Sequence, residues 1–154
     1  KERPQTVKTV NDKSFITQDG TLLRTLEIAR KVAPSTASIL ITGESGTGKE
    51  LFANAIHAHS KRATRQFIVV DCSTFASSLL ESELFGHERG AFTGAVQQRV
   101  GRFEWVGHGT LLLDEISEIP LKLQAKLLRV LEDGIIKEGS HSIEQGAGLR
   151  AISG

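Results

Sequence analysis

The sequence Gly43-Glu44-Ser45-Gly46-Thr47-Gly48-Lys49-Glu50 decides how the rest of the chain is organised. An apolar, β-prone run at residues 38–42 precedes it, and a helix-compatible run at residues 51–56 follows it. A strand, a glycine-rich turn and a helix in this order are the context in which a phosphate-binding loop works. The alternative is a chance glycine turn before a helix, which the flanking strand and helix disfavour.

The residues of this loop suit a nucleoside triphosphate. We expect Gly43, Gly46 and Gly48 to adopt positive φ and to let the backbone approach a ligand. The amide groups of residues 45–49 and the start of the next helix favour phosphate oxygens, and Lys49 can reach the β- and γ-phosphates. The general pattern has Ser or Thr after the lysine as a Mg²⁺ ligand, whereas Glu50 offers a longer, charged oxygen ligand here. The predicted nucleotide-binding residues are Gly43, Glu44, Ser45, Gly46, Thr47, Gly48, Lys49, Glu50 and Leu51.

Composition is that of a single globular domain. The chain has 154 residues, of which 39% are apolar and 24% charged, as is ordinary for a soluble protein with a core. The net charge of +1 gives no strong electrostatic signal for DNA or membrane binding. The single cysteine excludes an internal disulfide, and the sequence has no bilayer-length apolar run and no signal-peptide pattern. These features predict a cytoplasmic protein.

The two ends of the sequence predict that the chain is part of a longer protein. There is no methionine, even at position 1, and Gly154 falls inside a predicted strand. Residues 1–20 are polar and predict an extended or poorly ordered segment. The predicted domain therefore occupies residues 21–154.

The rest of the pattern alternates helices with β-prone runs. The helix after the phosphate loop is expected to run to about Lys61. Other helices are predicted from one-sided apolar spacing at residues 21–33, 77–85 and 120–133. Strands of a parallel sheet covered on both faces are predicted at residues 38–42, 67–71, 110–113 and 149–153. Residues 135–148 are polar and glycine-punctuated, and predict a hairpin-like insertion.

Two acidic residues follow the strand predicted at residues 110–113. Apolar strands with acids at their carboxyl ends are where α/β sheets place their chemistry. We expect Asp114 to hold Mg²⁺, directly or through water, and Glu115 to polarise the attacking water. Strand alternation is expected to place the two carboxylates on different sides, which suits two different roles. The alternative is a solvated acidic turn, which the upstream phosphate loop disfavours.

Two further features favour structural explanations. Cys72 is interpreted as a buried structural thiol, because no cationic group that would activate it is evident beside it. A basic cluster near the end of the helix after the phosphate loop is interpreted as cations that complement the helix C-terminus, rather than as a ligand site. Its members are His57, His59, Lys61, Arg62 and Arg65.

Residues 86–95 form a glycine-rich stretch in which Phe92 is one large apolar residue among small ones. A loop that offers an aromatic residue between glycines is often the tip of an interaction site. Packing of Phe92 back into the core is the alternative, and the residues alone leave the two interpretations even.

Taken together, these motifs resemble the central AAA+ ATPase domain of bacterial sigma-54-dependent transcription activators, the enhancer-binding proteins. The resemblance runs from about residue 21 to residue 154. It rests on GESGTGKE at 43–50, ESELFG at 81–86, GAFTGA at 90–95, GTLLLDEI at 109–116 and LQAKLLRVL at 123–131. GESGTGKE indicates only a nucleotide site, whereas GAFTGA is the specific signal.

The resemblance implies a three-layer α/β P-loop NTPase fold of the AAA+ type, with a mostly parallel sheet. It implies binding of ATP and Mg²⁺, and hydrolysis coupled to remodelling of the sigma-54 RNA polymerase holoenzyme. It also explains Glu50, since these activators carry Glu after the loop lysine, and residues 135–148 look like the second mobile insertion of the family. The contact with sigma-54 is implied for a loop tip made of Gly90, Ala91, Phe92, Thr93, Gly94 and Ala95, which favours a functional Phe92.

Several implied roles go beyond the loop. The resemblance assigns catalysis to Lys49, Asp114, Glu115 and Asp71, and metal binding to Asp114 and Glu50. Rings, commonly hexamers, and DNA binding through a C-terminal domain that the chain lacks are also implied. The alternative is a docking module that binds nucleotide without hydrolysing it. GAFTGA disfavours an AAA+ ATPase with an unrelated task.

Two features depart from the family pattern. The family has Asn at the position of Asp71, where it is thought to hydrogen-bond the catalytic glutamate and switch it between states. An ionised Asp only accepts hydrogen bonds and repels a nearby carboxylate, so one solution is a proton shared with Glu115. The second departure is length, because the sensor residue, the arginine fingers and the lid subdomain lie beyond Gly154. The chain alone is therefore expected to bind nucleotide weakly and to hydrolyse it poorly.

Overall fold

A parallel four-stranded sheet lies between two layers of helices. The computed structural model describes residues 5–8, 14–17, 19–91, 93, 95–133, 135–138, 141–144 and 149–153. In chain order the elements are β1 (Gln5–Lys8), β2 (Ser14–Thr17), α1 (Gly20–Val32), β3 (Ile39–Ile41), α2 (Lys49–Ala58), β4 (Phe67–Asp71), α3 (Ser77–Phe85), β5 (Gly86–His87), β6 (Arg99–Val100), α4 (Arg102–Val106), β7 (Thr110–Asp114), α5 (Leu121–Asp133), β8 (Ile135–Glu138), β9 (His141–Glu144) and β10 (Leu149–Ser153).

The sheet has the strand order β3-β10-β7-β4, and every pairing in it is parallel. One row of register partners across it is Leu40, Ile152, Leu113 and Val70. The next position along each strand carries Ile41, Ser153, Asp114 and Asp71. The carboxyl ends of all four strands therefore meet at one edge of the sheet.

Two apolar cores cover the two faces of the sheet. On β7, Leu111 and Leu113 pack in a core formed largely by α3, α4 and α5. Leu112 faces the other way and packs with Ile41 and residues of α1 and α2. All three leucines are fully buried. The predicted three-layer α/β class is therefore confirmed.

The two edge strands are less buried than predicted. Leu40 of β3 is 61% exposed, and Val69 of β4 is 39% exposed. Cover on both faces was predicted for the strand at residues 67–71, and the exposure of Val69 shows that this cover is incomplete, because β3 and β4 lie at the two margins of the sheet. Their apolar composition does not distinguish them from β7, which pairs with a strand on each side.

The helices predicted at residues 21–33, 77–85 and 120–133 are confirmed, with small shifts at their ends. The backbone amide of Leu22 donates to Asp19 Oδ1 at 2.9 Å, which caps α1. Helix α2 ends at Ala58 and not near Lys61, because the chain turns there and the Ser60 hydroxyl donates to the carbonyl of His57 at 2.7 Å. The sequence pattern did not predict α4.

The remaining strands form hairpins. β1 pairs with β2. The N-terminal segment was predicted to be extended or poorly ordered, and these two strands confirm that its residues 5–8 and 14–17 are extended. β8 pairs with β9, which confirms the hairpin predicted at residues 135–148. Predictions for Phe92, Gly94 and Gly134 lie outside the described residues. Within the described part of the chain, no helix is both long and apolar enough to cross a bilayer.

Candidate nucleotide-binding site

The phosphate loop connects β3 to α2 and is held by its own backbone. Lys49 is the first residue of α2, and its Nζ donates to the carbonyl oxygens of Gly43 at 2.8 Å and Glu44 at 3.4 Å. The Thr47 hydroxyl donates to the Glu44 carbonyl at 2.7 Å. The loop thus curls around the Lys49 ammonium group, which bonds to loop carbonyls. A phosphate group can replace these carbonyls as the partner of Lys49.

The glycines of this loop have two different functions. Gly46 and Gly48 have φ values of +78° and +87°, a region that side chains with a Cβ rarely adopt. Positive φ was also predicted for Gly43, and that is wrong. A Cβ at Gly43 would lie 3.1 Å from Thr47 Oγ1, so this position requires a small volume instead.

An apolar cleft of about 320 Å³ opens beside the loop. Its walls come from α1, the end of β3, the phosphate loop and the start of α2. The lining residues are Leu22, Thr25, Ile41, Thr42, Gly43, Thr47, Gly48, Lys49, Leu51 and Phe52. The volume and the apolar lining suit a flat organic group that is attached to a phosphate chain. Of the predicted nucleotide-binding residues, Gly43, Thr47, Gly48, Lys49 and Leu51 line this cleft.

Asp114 and Glu115 lie at the carboxyl end of β7, at the same edge of the sheet as the phosphate loop. Asp114 is half-buried, and its Oδ1 accepts from the backbone amide of Glu115 at 3.1 Å. Glu115 lies beyond the strand with φ +53° and ψ +50°, and is the one non-glycine residue of the described chain with positive φ. Its direction is therefore set by this left-handed turn and not by strand alternation, because the strand ends at Asp114. The placement of the two carboxylates on different sides stays a prediction.

Asp71 is the register partner of Asp114 on the neighbouring strand. Its Oδ1 accepts from the hydroxyl of Ser73 at 2.6 Å and from the amide of Ser73 at 2.9 Å. Hydrogen bonds from the Ser73 side chain, with further ones from Thr74, hold the pKa of Asp71 below its usual value. The lowered pKa and the two hydrogen bonds from Ser73 disfavour a proton shared with Glu115.

Cys72 confirms the prediction of a buried structural thiol. It is 1% exposed, and burial, followed by the charges of Asp71 and Asp114, raises its pKa to about 12. The thiol is therefore neutral beside the two carboxylates and is a poor nucleophile at neutral pH.

His57 lies in the last turn of α2, as the basic cluster predicts, but its side chain is buried. It is 0% exposed, and its Nδ1 lies 2.7 Å from Thr110 Oγ1 at the start of β7. Its ring also packs against Phe67 at a centroid distance of 5.3 Å. His59 fits the prediction better, because its Nδ1 lies 2.8 Å from the carbonyl of Ala55 in the last turn of α2. His57 connects the helix of the phosphate loop to the strand of Asp114.

The predicted partner loop leaves the body of the domain between β5 and β6, which pair antiparallel. Gly90 and Ala95 are joined by a backbone hydrogen bond of 2.9 Å from the Gly90 amide to the Ala95 carbonyl. Gly90 and Ala91 are exposed, as is Thr93, whereas Ala95 is buried. The two ends of the hexapeptide therefore lie next to each other, with Gly90 exposed and Ala95 buried.

The sequence reasoning missed Glu83. This α3 residue has only 9% of its side chain exposed and pairs with Arg99 and Arg102 at the base of that loop. The sequence does contain an indication of this residue, because Glu83 lies three positions after Leu80 and therefore on the buried face of α3. An acid in an apolar spacing indicates a buried ion pair, but its partners could not be named without the fold.

The sequence profile of the sigma-54 interaction domain matches residues 15–153. The chain belongs to the sigma-54 interaction domain family. The match covers the described sheet, both helical layers and the two loops, so the sigma-54 interaction domain includes every element of the candidate site.

Curated relatives share about half of their aligned residues with this sigma-54 interaction domain. The transcriptional regulatory protein FlbD of Caulobacter vibrioides is 54% identical over 125 residues, which are 81% of this chain and 28% of FlbD. The transcriptional regulatory protein GlrR of Escherichia coli K12 is 49% identical over 140 residues, which are 91% of this chain and 32% of GlrR. The chain thus spans about a third or less of these relatives.

Solved structures show the same fold. NtrX of Brucella abortus in complex with ADP is 35% identical, with a TM-score of 0.77 over 90% of this chain and 30% of NtrX. NtrX in complex with ATP has a TM-score of 0.75, over 90% of this chain and 31% of that one. The P-loop NTPase domain of a sigma-54 transport activator from E. coli is 14% identical, with a TM-score of 0.55 over 90% of this chain and 76% of that one, and shows the fold alone. The sigma-54 interaction domain described here is therefore a P-loop NTPase fold of the AAA+ type.

Proposed function

We propose that this domain binds and hydrolyses ATP within a sigma-54-dependent transcriptional activator. Hydrolysis is coupled to remodelling of the sigma-54 RNA polymerase holoenzyme through residues 90–95. The observation that carries the proposal is the alignment at one edge of the sheet, where β3 leads into the phosphate loop and β7 ends in Asp114. Two strand spacings, roughly 10 Å, separate β3 from β7. This distance suits a triphosphate that is bound by the phosphate loop after β3 and attacked by a water molecule near the acidic residues after β7.

The loop residues bind the phosphates in this proposal. Lys49 exchanges its carbonyl partners for phosphate oxygens, and the amides at the start of α2 add donors. The apolar cleft beside Leu51 and Phe52 receives the base. Nucleotide complexes of the Brucella abortus relative support a nucleotide ligand for this site.

Asp114 and Glu50 are the proposed residues at Mg²⁺. No group of three or more metal-ligating side chains lies together in the described part of the chain. This fits Mg²⁺ bound to a nucleotide, because that ion keeps several waters and takes one or two carboxylates together with the phosphates. When bound, Mg²⁺ neutralises charge on the phosphate oxygens. Asp114 is half-buried and its Oδ1 already accepts from the Glu115 amide, so its carboxylate is well fixed for this purpose.

Glu115 is the proposed residue that polarises the attacking water. Its left-handed backbone is disfavoured by about 1–2 kcal/mol, and such strain concentrates at functional positions. Asp71 lies beside Asp114 in the register and is the proposed partner of this acidic edge, acting as an ionised acceptor.

The proposal extends to the whole activator. The activator forms a ring in which a neighbouring subunit completes each site with an arginine finger. Arginine fingers raise the rate of comparable enzymes by several orders of magnitude. DNA binding through a separate domain and action in the bacterial cytoplasm are part of the same proposal.

Substitution of Glu115 by Gln in the full-length activator tests the proposal. We expect ATP binding to be retained and turnover to fall by at least about 100-fold, because Gln cannot accept a proton from water. ATP-dependent promoter opening with sigma-54 polymerase should be lost as well. The matched control is Glu118→Gln, an exposed acid in the next turn, which should leave both activities unchanged. Promoter opening that survives Glu115→Gln would contradict coupling to hydrolysis.

The second candidate function is a docking module that binds nucleotide without hydrolysing it. Asp71 favours it, since an ionised Asp cannot donate a hydrogen bond to Glu115. Turnover of ATP by the 154-residue chain, compared with a version extended by about 100 residues, separates the candidates. Turnover by the extended version alone supports the enzyme, whereas tight binding without turnover in both supports the docking module.

A further inference from the structure

A single buried carboxylate holds the base of the loop at residues 88–98. Glu83 of α3 uses its two oxygens separately: Oε1 lies 2.5 Å from Arg99 Nη2, and Oε2 accepts from Arg102 Nε at 3.2 Å. Arg99 lies in β6 and Arg102 begins α4, so both belong to the end of the loop that returns to the domain. The outgoing end, β5, follows α3 directly in the chain.

The two ends of the loop also touch through their backbones. A Cβ on Gly101 would lie 2.5 Å from the amide nitrogen of Gly86 and 2.6 Å from the carbonyl oxygen of Leu84. A Cβ on Gly86 would meet the carbonyl oxygen of Arg99 and would lie 2.7 Å from the amide nitrogen of Gly101. Neither position has room for a side chain, so the outgoing and returning strands are closely apposed where Glu83 is attached.

Other contacts join the end of α3 to both ends of the loop. The Ser82 hydroxyl lies 2.6 Å from His87 Nδ1 and holds the outgoing strand. The Phe85 and Phe103 rings pack at a centroid distance of 5.2 Å. The Arg102 guanidinium lies 4.9 Å from the centroid of the Trp105 ring, which restricts its movement away from Glu83.

The same helix connects to the acidic edge of the nucleotide site. A single 3₁₀ turn at Ile116–Glu118 follows Glu115, and another at Cys72–Thr74 follows Asp71. These two turns contact each other, and the second leads into α3 within a few residues. Glu115 and α3 are therefore joined by contiguous packing.

We propose that Glu83 is the positioning residue that attaches the returning end of the loop to α3, so that the loop moves with this helix as one body. This rests on the proposed function, in which displacement at Glu115 has to reach residues 90–95. Two guanidinium groups compensate one buried carboxylate, and charge-assisted hydrogen bonds of this kind are directional as well as strong. Without Glu83, α3 still moves, but the returning strand β6 is no longer coupled to that movement.

Hydrogen exchange in the full-length protein tests the attachment. In Glu83→Gln we expect amides of residues 86–100 to exchange about tenfold faster, as loss of hydrogen bonds to a charged group predicts, with no change in α5. ATP turnover should stay within about twofold of wild type, while open promoter complexes formed per ATP hydrolysed fall at least about tenfold. This split separates a positioning role from a merely structural one.

Two further variants control the experiment. Glu81, on the same helix as Glu83, forms a partly exposed pair with Lys126 of α5 at 3.4 Å. Glu81→Gln breaks this pair and should leave exchange at residues 86–100 unchanged. Arg99→Gln removes one of the two ion pairs of Glu83, at a half-exposed side chain, and keeps the Glu83–Arg102 pair. This variant tests the attachment even if Glu83→Gln fails to fold. It should accelerate exchange in the same peptides, and adding it to Glu83→Gln should have no further effect.

Unchanged exchange at residues 86–100 in both Glu83→Gln and Arg99→Gln would overturn the proposal. Faster exchange with a wild-type yield of open complexes per ATP would overturn it as well, since the loop would then act without the attachment. A wild-type protein without ATP-dependent promoter opening would refute the proposed function instead, and the exchange data would still decide whether Glu83 holds the loop.

Discussion

The phosphate loop and the base of the loop at residues 88–98 are both built on glycine, but they are stabilised at different ranges along the chain. In the phosphate loop, Lys49 reaches back six positions to Gly43, and Thr47 reaches back three positions to Glu44. At the loop base, Glu83 bonds to Arg102, 19 positions away. The first loop is a local motif, whereas the second depends on how three elements pack.

This difference explains why one region was interpreted from its residues and the other was not. The side-chain contacts that stabilise the phosphate loop all join residues within the same eight-residue motif. The hexapeptide at residues 90–95 indicates a partner, but the side chains that support it lie outside the hexapeptide on α3, β6 and α4. A recognisable motif and the contacts that position it need not be neighbours in sequence.

Lys49→Ala should have the largest effect and tests the local motif. ATP binding should weaken by about 100-fold, because hydrogen bonds to charged groups contribute about 1.5–3 kcal/mol each. Isothermal titration of ATP into the variant measures this. Lys61→Ala, an exposed lysine beyond α2, is the matched control and should bind like wild type. An unchanged affinity in Lys49→Ala would mean that the loop binds something other than a triphosphate.

Gly101→Ala should have an intermediate effect and tests the non-local contact. The new methyl group meets the backbone of residues 84–86, so we expect the free energy of unfolding to fall by about 3 kcal/mol. Gly20→Ala is the comparison, since that glycine begins α1 with no positive φ and with open space around it. It should change the free energy of unfolding by less than about 1 kcal/mol. Urea unfolding of both variants checks the order, and equal losses would refute the tight apposition at Gly101.

Asp71→Asn should have the smallest effect at neutral pH. Asn can also accept from the Ser73 amide, so the free energy of unfolding at pH 7 should hardly change. The pKa of Asp71 is lower in the folded protein, so its stabilising contribution is present above about pH 4 and is lost as the pH falls further. Unfolding measured between pH 5 and pH 3 should therefore show a shallower loss of stability in Asp71→Asn than in wild type. Identical pH profiles would mean that the Ser73 contacts do not stabilise the charged form.

Much of the fold followed from periodicity. The helices at residues 77–85 and 121–133 and the strand at residues 67–71 were predicted nearly to the residue, because one-sided apolar spacing and short β-branched runs are strong local signals. The edge positions of β3 and β4 were not predicted, because strand order depends on how crossovers pack and not on strand composition. The burial of His57 was missed for the same reason, since its partner Thr110 belongs to another strand.

The candidate site divides in the same way. Asp114 and Glu115 were identified from their place after an apolar run, but the left-handed backbone of Glu115 and the pairing of Asp71 with Ser73 were visible only in the structure. These two features change the chemistry, because one sets the direction of Glu115 and the other keeps Asp71 ionised.

The sequence by itself determined the local requirements of this protein: a glycine loop that can bind phosphate, the elements around it, and the family to which they belong. Backbone dihedrals and the periodicity of apolar residues act over a few positions, so they can be interpreted without a fold. Only the tertiary structure decided that the ends of β3, β7 and β4 form one edge, and that Glu83 meets two arginines beneath residues 90–95. The physical reason is that buried charge has to be compensated in space, and packing of the whole chain selects the partner.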